Sequence, residues 1–324
     1  MKVKIFTEGG KTIGLGHISR CSSLYDEAIN RNISVEFIVY GDIAEVEFLK
    51  GRNIINENWI STEYLRNSIS SEDYAIVDSY KAETEIYEII SKTSKKAVFI
   101  DDVGRIEYPK GIIVNPSLEA IDIDYSKSIN SSVLTGPDYV ILRTPFIGAK
   151  RESRLNGVKR VLIIMGGTDI RKLTLNLISN ICKKRLDIKF DIVVNSKNLG
   201  LYNDYNNINI YMNIDAVKMM QLMLTADLAI TAAGQTIYEL LATNTPFIPI
   251  QIIENQENNV RALLKYNSEQ IILKYDDDNL MDDILELLSG KNAELCVCEQ
   301  NIKYKGIIDG YGSKRIIDKL VEDM

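Results

Sequence analysis

Chemistry in this sequence starts with one histidine. His17 is the sole imidazole among 324 residues, so histidine metal clusters and two-histidine catalytic schemes are excluded at the outset. It closes the run Glu8-Gly9-Gly10-Lys11-Thr12-Ile13-Gly14-Leu15-Gly16-His17, which follows a short apolar stretch and leads into an expected helix. Glycines at such a point let backbone N–H groups approach a ligand, and a helix N-terminus favours an anion or developing negative charge. The run is neither a dinucleotide fingerprint nor a P-loop: Ser19 stands where a third glycine would follow Gly14-x-Gly16, and there is no Gly-Lys-Ser/Thr. A histidine in the first helical turn projects from the mouth of a sheet, either as a base or as a hydrogen-bonded capping group. Val77-Asp78-Ser79-Tyr80 ends a later strand and brings Asp78 and Tyr80 to the same carboxyl edge. Asp101-Asp102 ends another. Adjacent carboxylates can bind a divalent ion, but neighbours on an extended segment point apart, so a structural role is expected for them.

A second set of loops suits a nucleoside diphosphate. Ile163-Ile164-Met165-Gly166-Gly167-Thr168-Asp169 reads as a strand, a glycine turn and a helix cap. Thr231-Ala232-Ala233-Gly234-Gln235-Thr236 opens a helix carrying Glu239. Gly234 permits close approach of a diphosphate, the Gln235 and Thr236 amides and the Thr236 hydroxyl can donate to it, and Glu239 can accept from two ribose hydroxyls. At the next strand end, Asn255 and Gln256 carry amides suited to sugar hydroxyls or N-acetyl groups, or Asn255 simply caps a helix.

The elements that must position these residues alternate along the chain. Apolar runs at 2–7, 33–40, 74–78, 97–101 and 111–115 read as strands, with amphipathic helices at 18–30, 43–50 and 84–92 between them. After the polar stretch 149–159, strands are expected at 160–165, 190–195, 228–232, 246–251 and 270–274, and helices at 172–184, 215–224, 236–242 and 256–266. Helices close the chain. This pattern predicts an α/β protein of two Rossmann-like, doubly wound parallel-sheet domains, 1–150 and 151–324, the last helix able to pack back on the first domain. Ligands of such sheets sit beyond the carboxyl ends of the strands, and the cleft between the domains is the expected site.

Composition narrows the functional classes. The 38 Lys and Arg against 45 Asp and Glu leave a formal charge of −7, which argues against a counterion-release grip on nucleic acid. No apolar run approaches the roughly 20 residues of a membrane span, and Met1–Phe6 lacks the apolar core of a signal peptide. A cytoplasmic protein without membrane contact is expected, as a monomer or weak homodimer. The four cysteines, Cys21, Cys182, Cys296 and Cys298, are too few and too scattered for a disulfide framework or a zinc site. Trp59 is expected to be a packing residue of the first domain.

Taken in order, several segments resemble the UDP-sugar hydrolases of pseudaminic acid biosynthesis and the related spore-coat polysaccharide proteins, a branch of the GT-B glycosyltransferase superfamily. They are Ile13-Gly14-Leu15-Gly16-His17-Ile18-Ser19-Arg20-Cys21, Val77-Asp78-Ser79-Tyr80, Ile100-Asp101-Asp102, Gly136-Pro137-Asp138-Tyr139, Gly166-Gly167-Thr168-Asp169, Ala232-Ala233-Gly234-Gln235-Thr236 with Glu239, Glu254-Asn255-Gln256 and Asp309-Gly310-Tyr311-Gly312. The resemblance implies a GT-B fold with UDP held by the second domain. It also implies hydrolysis of the anomeric C–O bond of UDP-2,4-diacetamido-2,4,6-trideoxy-β-L-altropyranose, with neither metal nor other cofactor. His17 matches the family's base, and Tyr80 and Asn255 match its other catalytic positions. Gly14, Gly16, Arg20, Asp78, Gly166, Gly167, Thr168, Gly234, Gln235, Thr236, Glu239 and Gln256 fall at substrate-binding positions. Gln235 stands where relatives usually carry a small residue, and Asn115-Pro116-Ser117 departs from their Asn-rich turn. A GT-B glycosyltransferase using a UDP-sugar donor, and an inactive nucleotide-sugar-binding protein, are the competing readings.

Overall fold

A computed structural model describes residues 2–10, 13–43, 46, 49–118, 123–128, 130–152, 157–166, 169, 171–194 and 205–322. Chain contacts divide it into two compact units, Met1–Thr144 with Gly310–Met324, and Pro145–Asp309.

The first unit holds seven parallel strands: β1 (Lys2–Glu8), β2 (Ser34–Tyr40), β3 (Ile54–Asn56), β4 (Asp73–Asp78), β5 (Lys96–Ile100), β6 (Ile112–Asn115) and β7 (Ser132–Thr135). Their order in the sheet is β3-β2-β1-β4-β5-β6-β7. The crossovers carry α1 (Gly16–Asn30), α2 (Thr62–Ser68) and α3 (Thr84–Thr93). Central strands are buried on both faces, which is why they read as unbroken apolar runs. In β1, Val3 and Ile5 face a cluster with Ile18, Cys21 and Leu24 of α1, while Phe6 faces the opposite cluster with Trp59, Ile86 and Tyr87. Trp59 is buried there and donates its indole N–H to the Thr7 carbonyl at 2.7 Å.

The second unit holds β8 (Arg160–Ile164), β9 (Lys189–Val194), β10 (Ile208–Met212), β11 (Leu228–Ala232), β12 (Phe247–Gln251) and β13 (Leu273–Lys274), in the order β10-β9-β8-β11-β12-β13. Its helices are α4 (Leu173–Leu177), α5 (Ala216–Thr225), α6 (Thr236–Ala242), α7 (Glu257–Tyr266), α8 (Leu280–Leu287) and α9 (Gly290–Lys303). The helix expected over 172–184 is α4 running into a wider π turn, Ile178–Cys182. The last helix, α10 (Gly312–Leu320), belongs to the first unit, where Ile316, Ile317 and Leu320 join the α1 face of the core and Asp318 pairs with Arg31 at 2.6 Å.

Three strands, β3, β7 and β10, have no counterpart in the sequence reading, and all three lie at sheet edges. An edge strand has one ladder and one half-wet side, so it needs no apolar run; β7 has no fully buried residue. Half of the helix expected over 43–50 lies outside the described residues, and the described ones, 43, 46, 49 and 50, are not α-helical. The four cysteines are all free.

In both sheets the strand order reverses once, between β1 and β4 and between β8 and β11. Such a switch point opens a crevice at the carboxyl ends of the two strands. Glycines shape the rim at the first. A Cβ on Gly41 would lie 1.9 Å from the Gly9 carbonyl oxygen, and Gly41 also has φ +142°. A Cβ on Gly16, by contrast, meets nothing within 4 Å. Gly41→Ala should therefore lower the urea-unfolding free energy by at least about 1 kcal/mol, whereas Gly16→Ala leaves it within about 0.5 kcal/mol. Equal midpoints for the two variants would contradict this assignment.

Candidate active site

Five side chains from two neighbouring strand ends and one helix, Asp78 and Tyr80, Asp102, and His17 with Arg20, converge at the first switch point. Asp78, the last residue of β4, is fully buried. Its Oδ1 lies 2.7 Å from His17 Nδ1 and accepts from Arg20 Nη2 at 2.6 Å; its Oδ2 accepts from Arg20 Nε at 2.5 Å and from the Cys21 thiol at 3.6 Å. His17 and Arg20 reach the same carboxylate because they sit one turn apart on α1. Arg20 extends further, donating from Nη1 to Asp102 at 2.7 Å, and Asp102 also accepts the hydroxyl proton of Tyr80. The Tyr80 ring meets the His17 ring edge to face, with centroids 4.5 Å apart and planes at 88°.

The electrostatics follow from this geometry. Burial alone would raise the Asp78 carboxyl, but the charges of Arg20 and His17 and their hydrogen bonds outweigh it and hold it well below the usual carboxylate range. Asp78 is thus an anion at neutral pH. Arg20 Nη2 also lies 3.1 Å from His17 Nδ1. A guanidinium only donates, so Nδ1 either accepts from Arg20 or donates to Asp78. The shorter contact, 2.7 Å to the carboxylate against 3.1 Å to the guanidinium, assigns the proton: Nδ1 donates to Asp78. Nε2 keeps its lone pair, and among the described residues it has no hydrogen-bond partner. The side chain is 11% exposed.

Glu8 opens the glycine turn in the sequence, and its side chain has a structural task. It is 1% exposed and accepts the Ser79 hydroxyl and the amides of Tyr80 and Lys81, the latter two at 2.9 and 3.1 Å. This carboxylate fixes the loop that carries Tyr80. Asp101 and Asp102 do point apart. Asp101 is buried and binds the Gly104 amide at 2.7 Å and the Tyr125 hydroxyl at 2.6 Å, whereas Asp102 joins the His17 cluster. Gly14 is also placed differently from a ligand-facing amide, because its N–H donates to the Gly10 carbonyl at 2.9 Å and closes the turn. Gly16 begins α1, whose N-terminus has no side-chain cap.

At the second switch point β11 ends in a loop braced from below. Asn259 donates to the Ala233 carbonyl at 2.9 Å and accepts the Tyr238 hydroxyl at 2.6 Å. Gln256 accepts the Ile252 amide at 2.8 Å, and its Nε2 lies 3.6 Å from where a Cβ of Gly234 would be. Gln235 and Thr236 open α6 without a side-chain cap, and among the described residues their amides have no backbone acceptor. Glu239 follows in the first turn of α6. Gly166 has φ +75° and open space around it, and Asp169 caps α4 through the Leu173 and Thr174 amides. Gly167 and Thr168 lie outside the described residues. Asn255 is exposed in the short 3-10 turn Glu254–Gln256, and its side chain caps no helix. Among the described residues no group of three or more His, Cys, Asp or Glu is placed to hold a metal ion, and no helix is long and apolar enough to cross a membrane.

Comparison with known proteins fits this plan. Residues 161–306 match the glycosyltransferase family 28 C-terminal domain. An uncharacterized protein of Methanocaldococcus jannaschii is 28% identical over 82% of this chain and 58% of its own length. A Helicobacter pylori protein, named as a pseudaminic acid cytidylyltransferase and UDP-2,4-diacetamido-2,4,6-trideoxy-β-L-altropyranose hydrolase, is 25% identical over 86% of this chain and 51% of its own. The chain thus spans little more than half of these two. It spans 98% of a Campylobacter jejuni protein named as the hydrolase alone, which is 25% identical over 83% of this chain. Among solved structures, MurG of Acinetobacter baumannii superposes with a TM-score of 0.68 over 99% of both chains at 13% identity, a likeness of fold. The chain has a GT-B-like fold of two parallel-sheet α/β units, its residues 161–306 match the family 28 C-terminal domain, and it is similar to proteins named as UDP-diacetamido-trideoxy-altropyranose hydrolases.

Proposed function

We propose that this protein hydrolyses a UDP-linked 2,4-diacetamido-trideoxy sugar at the anomeric C–O bond, releasing UDP and the free sugar for nonulosonic acid biosynthesis, with His17 as general base and no metal. The observation that carries the reading is the buried Asp78 carboxylate on His17 Nδ1. It sets the tautomer in which Nε2 is the base, and it stabilises the imidazolium formed when water gives up a proton. Tyr80 and Asn255 position the water or the sugar. UDP is a stable anion and needs little general acid, so what its departure needs is donors for the growing charge. The free amides of Gln235 and Thr236 at the start of α6 supply them, and Glu239 accepts from the ribose. Gly16, Arg20, Gly166, Gly167, Thr168, Gly234 and Gln256 complete the proposed binding set; Asp78, buried and fully engaged, serves by holding His17 and Arg20, and the Gly14 amide is spent within its turn.

The family 28 match supports a second reading, a glycosyltransferase that uses the same nucleotide loop and an acceptor hydroxyl in place of water. UDP release from candidate UDP-sugars without any acceptor separates the two, since a transferase stays silent until an acceptor is added.

His17→Asn should lower the rate of UDP release by roughly 10²–10⁴-fold while UDP affinity stays within about twofold. Near wild-type turnover by the folded variant would exclude the general-base role. Gly234→Val has the opposite signature. Only the end of the Gln256 side chain is near its added Cβ, so the protein should fold, yet UDP binding measured by calorimetry should weaken roughly tenfold or more as amide donors are screened from the diphosphate. Unchanged affinity would remove this loop from the nucleotide site.

A further inference from the structure

Asp102 lies outside the binding and catalytic set assigned above, yet its two contacts are both to that set. It takes one hydrogen bond from Arg20 and one from Tyr80. A phenol has a single proton, and the Tyr80 proton is spent on this inward bond. Burial and then the Asp102 charge push Tyr80 above its ordinary range, so the phenol stays protonated. What Tyr80 turns outward from Oη is therefore lone pairs. His17 is in the same condition, with its Nδ1 proton given to Asp78 and a lone pair left on Nε2. The two rings are in edge-to-face contact, and Arg20 locks both carboxylates in place, forked on Asp78 and bound to Asp102. The cluster thus offers two acceptors on rings that touch, each ring held by a carboxylate.

We propose that Asp102 is a positioning residue that selects water as the nucleophile: by holding the Tyr80 proton inward it creates, beside His17 Nε2, a second acceptor that only a molecule with two O–H groups can fill together with the first. The inference rests on the hydrolase reading above. Water donates one hydrogen to Nε2 and one to Tyr80 Oη, and directs a lone pair at the anomeric carbon. As the water oxygen bonds to that carbon, the bond to the UDP oxygen breaks and its electron pair leaves on UDP. One water proton passes to Nε2 and the other remains on the new sugar hydroxyl, still facing Tyr80. An alcohol has one O–H and leaves an acceptor unfilled in a partly desolvated site, which is disfavoured.

The test is partitioning between water and methanol. Wild-type protein turning over a UDP-sugar in methanol–water mixtures should release UDP and give mainly free sugar. Asp102→Ala lets Tyr80 turn its proton outward and Tyr80→Phe removes the second acceptor. Each should raise the ratio of methyl glycoside to free sugar, at fixed methanol, roughly fivefold, the factor carried by one lost hydrogen bond. A merely structural role for Asp102 would lower the rate without moving this ratio. Tyr80 is 46% exposed and Tyr80→Phe leaves the Arg20–Asp102 pair intact, so this variant decides the matter should Asp102→Ala not fold. An unchanged ratio in folded Tyr80→Phe, with UDP still released, overturns the selection of water and leaves the hydrolase reading standing. No UDP release by wild-type protein from any UDP-sugar in water overturns the hydrolase reading, and this inference with it.

Discussion

One buried carboxylate holds the candidate site together. Asp78 sits at the end of a central strand with no access to water, where an unpaired anion would be prohibitive. Its charge is balanced by a forked guanidinium and its remaining capacity is taken by an imidazole and a thiol. Each of these donors comes from the first turns of α1, so the same contact that makes the anion tolerable also fixes the helix start over the sheet. Removing the carboxylate would strand Arg20 and free the orientation of His17 together. For that reason the stability of this corner and the protonation pattern of the imidazole are one property of the structure.

The two units share one plan and line it differently. Both are parallel sheets whose order reverses next to the first strand, and both gather their loops at that reversal. In the first unit the crevice is filled with paired charges, Asp78, Arg20 and Asp102, and presents lone pairs. In the second it is lined by backbone amides at the start of α6, braced by neutral amide side chains such as Gln256 and Asn259, and presents N–H groups. Acceptors suit the activation of a nucleophile and donors suit a leaving anion. The contrast arises from what lines each loop of a common scaffold, so fold likeness to glycosyltransferases leaves the reaction to be argued from the site.

Much of this was legible in the sequence. Continuous apolar runs mark strands buried on both faces, and the glycine turns mark their carboxyl ends, so the α/β alternation and the neighbourhood of His17, Asp78 and Tyr80 follow from local pattern. Edge strands such as β7 escape because half-wet strands carry no such run. The roles of Glu8 and Asp102 escape for a different reason. The partners of Glu8 are some 71 to 73 residues away and Arg20 lies 82 residues from Asp102, and nothing in either residue's immediate sequence encodes those meetings. The alternation rule does separate Asp101 from Asp102, but it cannot say which of the two faces inward to the loop and which meets Arg20 and Tyr80. Likewise the Gly14 amide looked available until the antiparallel pairing with Gly10 accounted for it.

The central claim, that Asp78 holds the Nδ1 proton of His17 and leaves Nε2 as the base, is open to one direct measurement. Because the chain has a single histidine, nitrogen-15 labelling of histidine gives one pair of ring resonances that needs no assignment by mutation. At a pH where the ring is neutral, the account predicts a protonated Nδ1 and an unprotonated Nε2 in the folded protein. A spectrum showing the proton on Nε2, with Nδ1 bare beside Arg20, would contradict it.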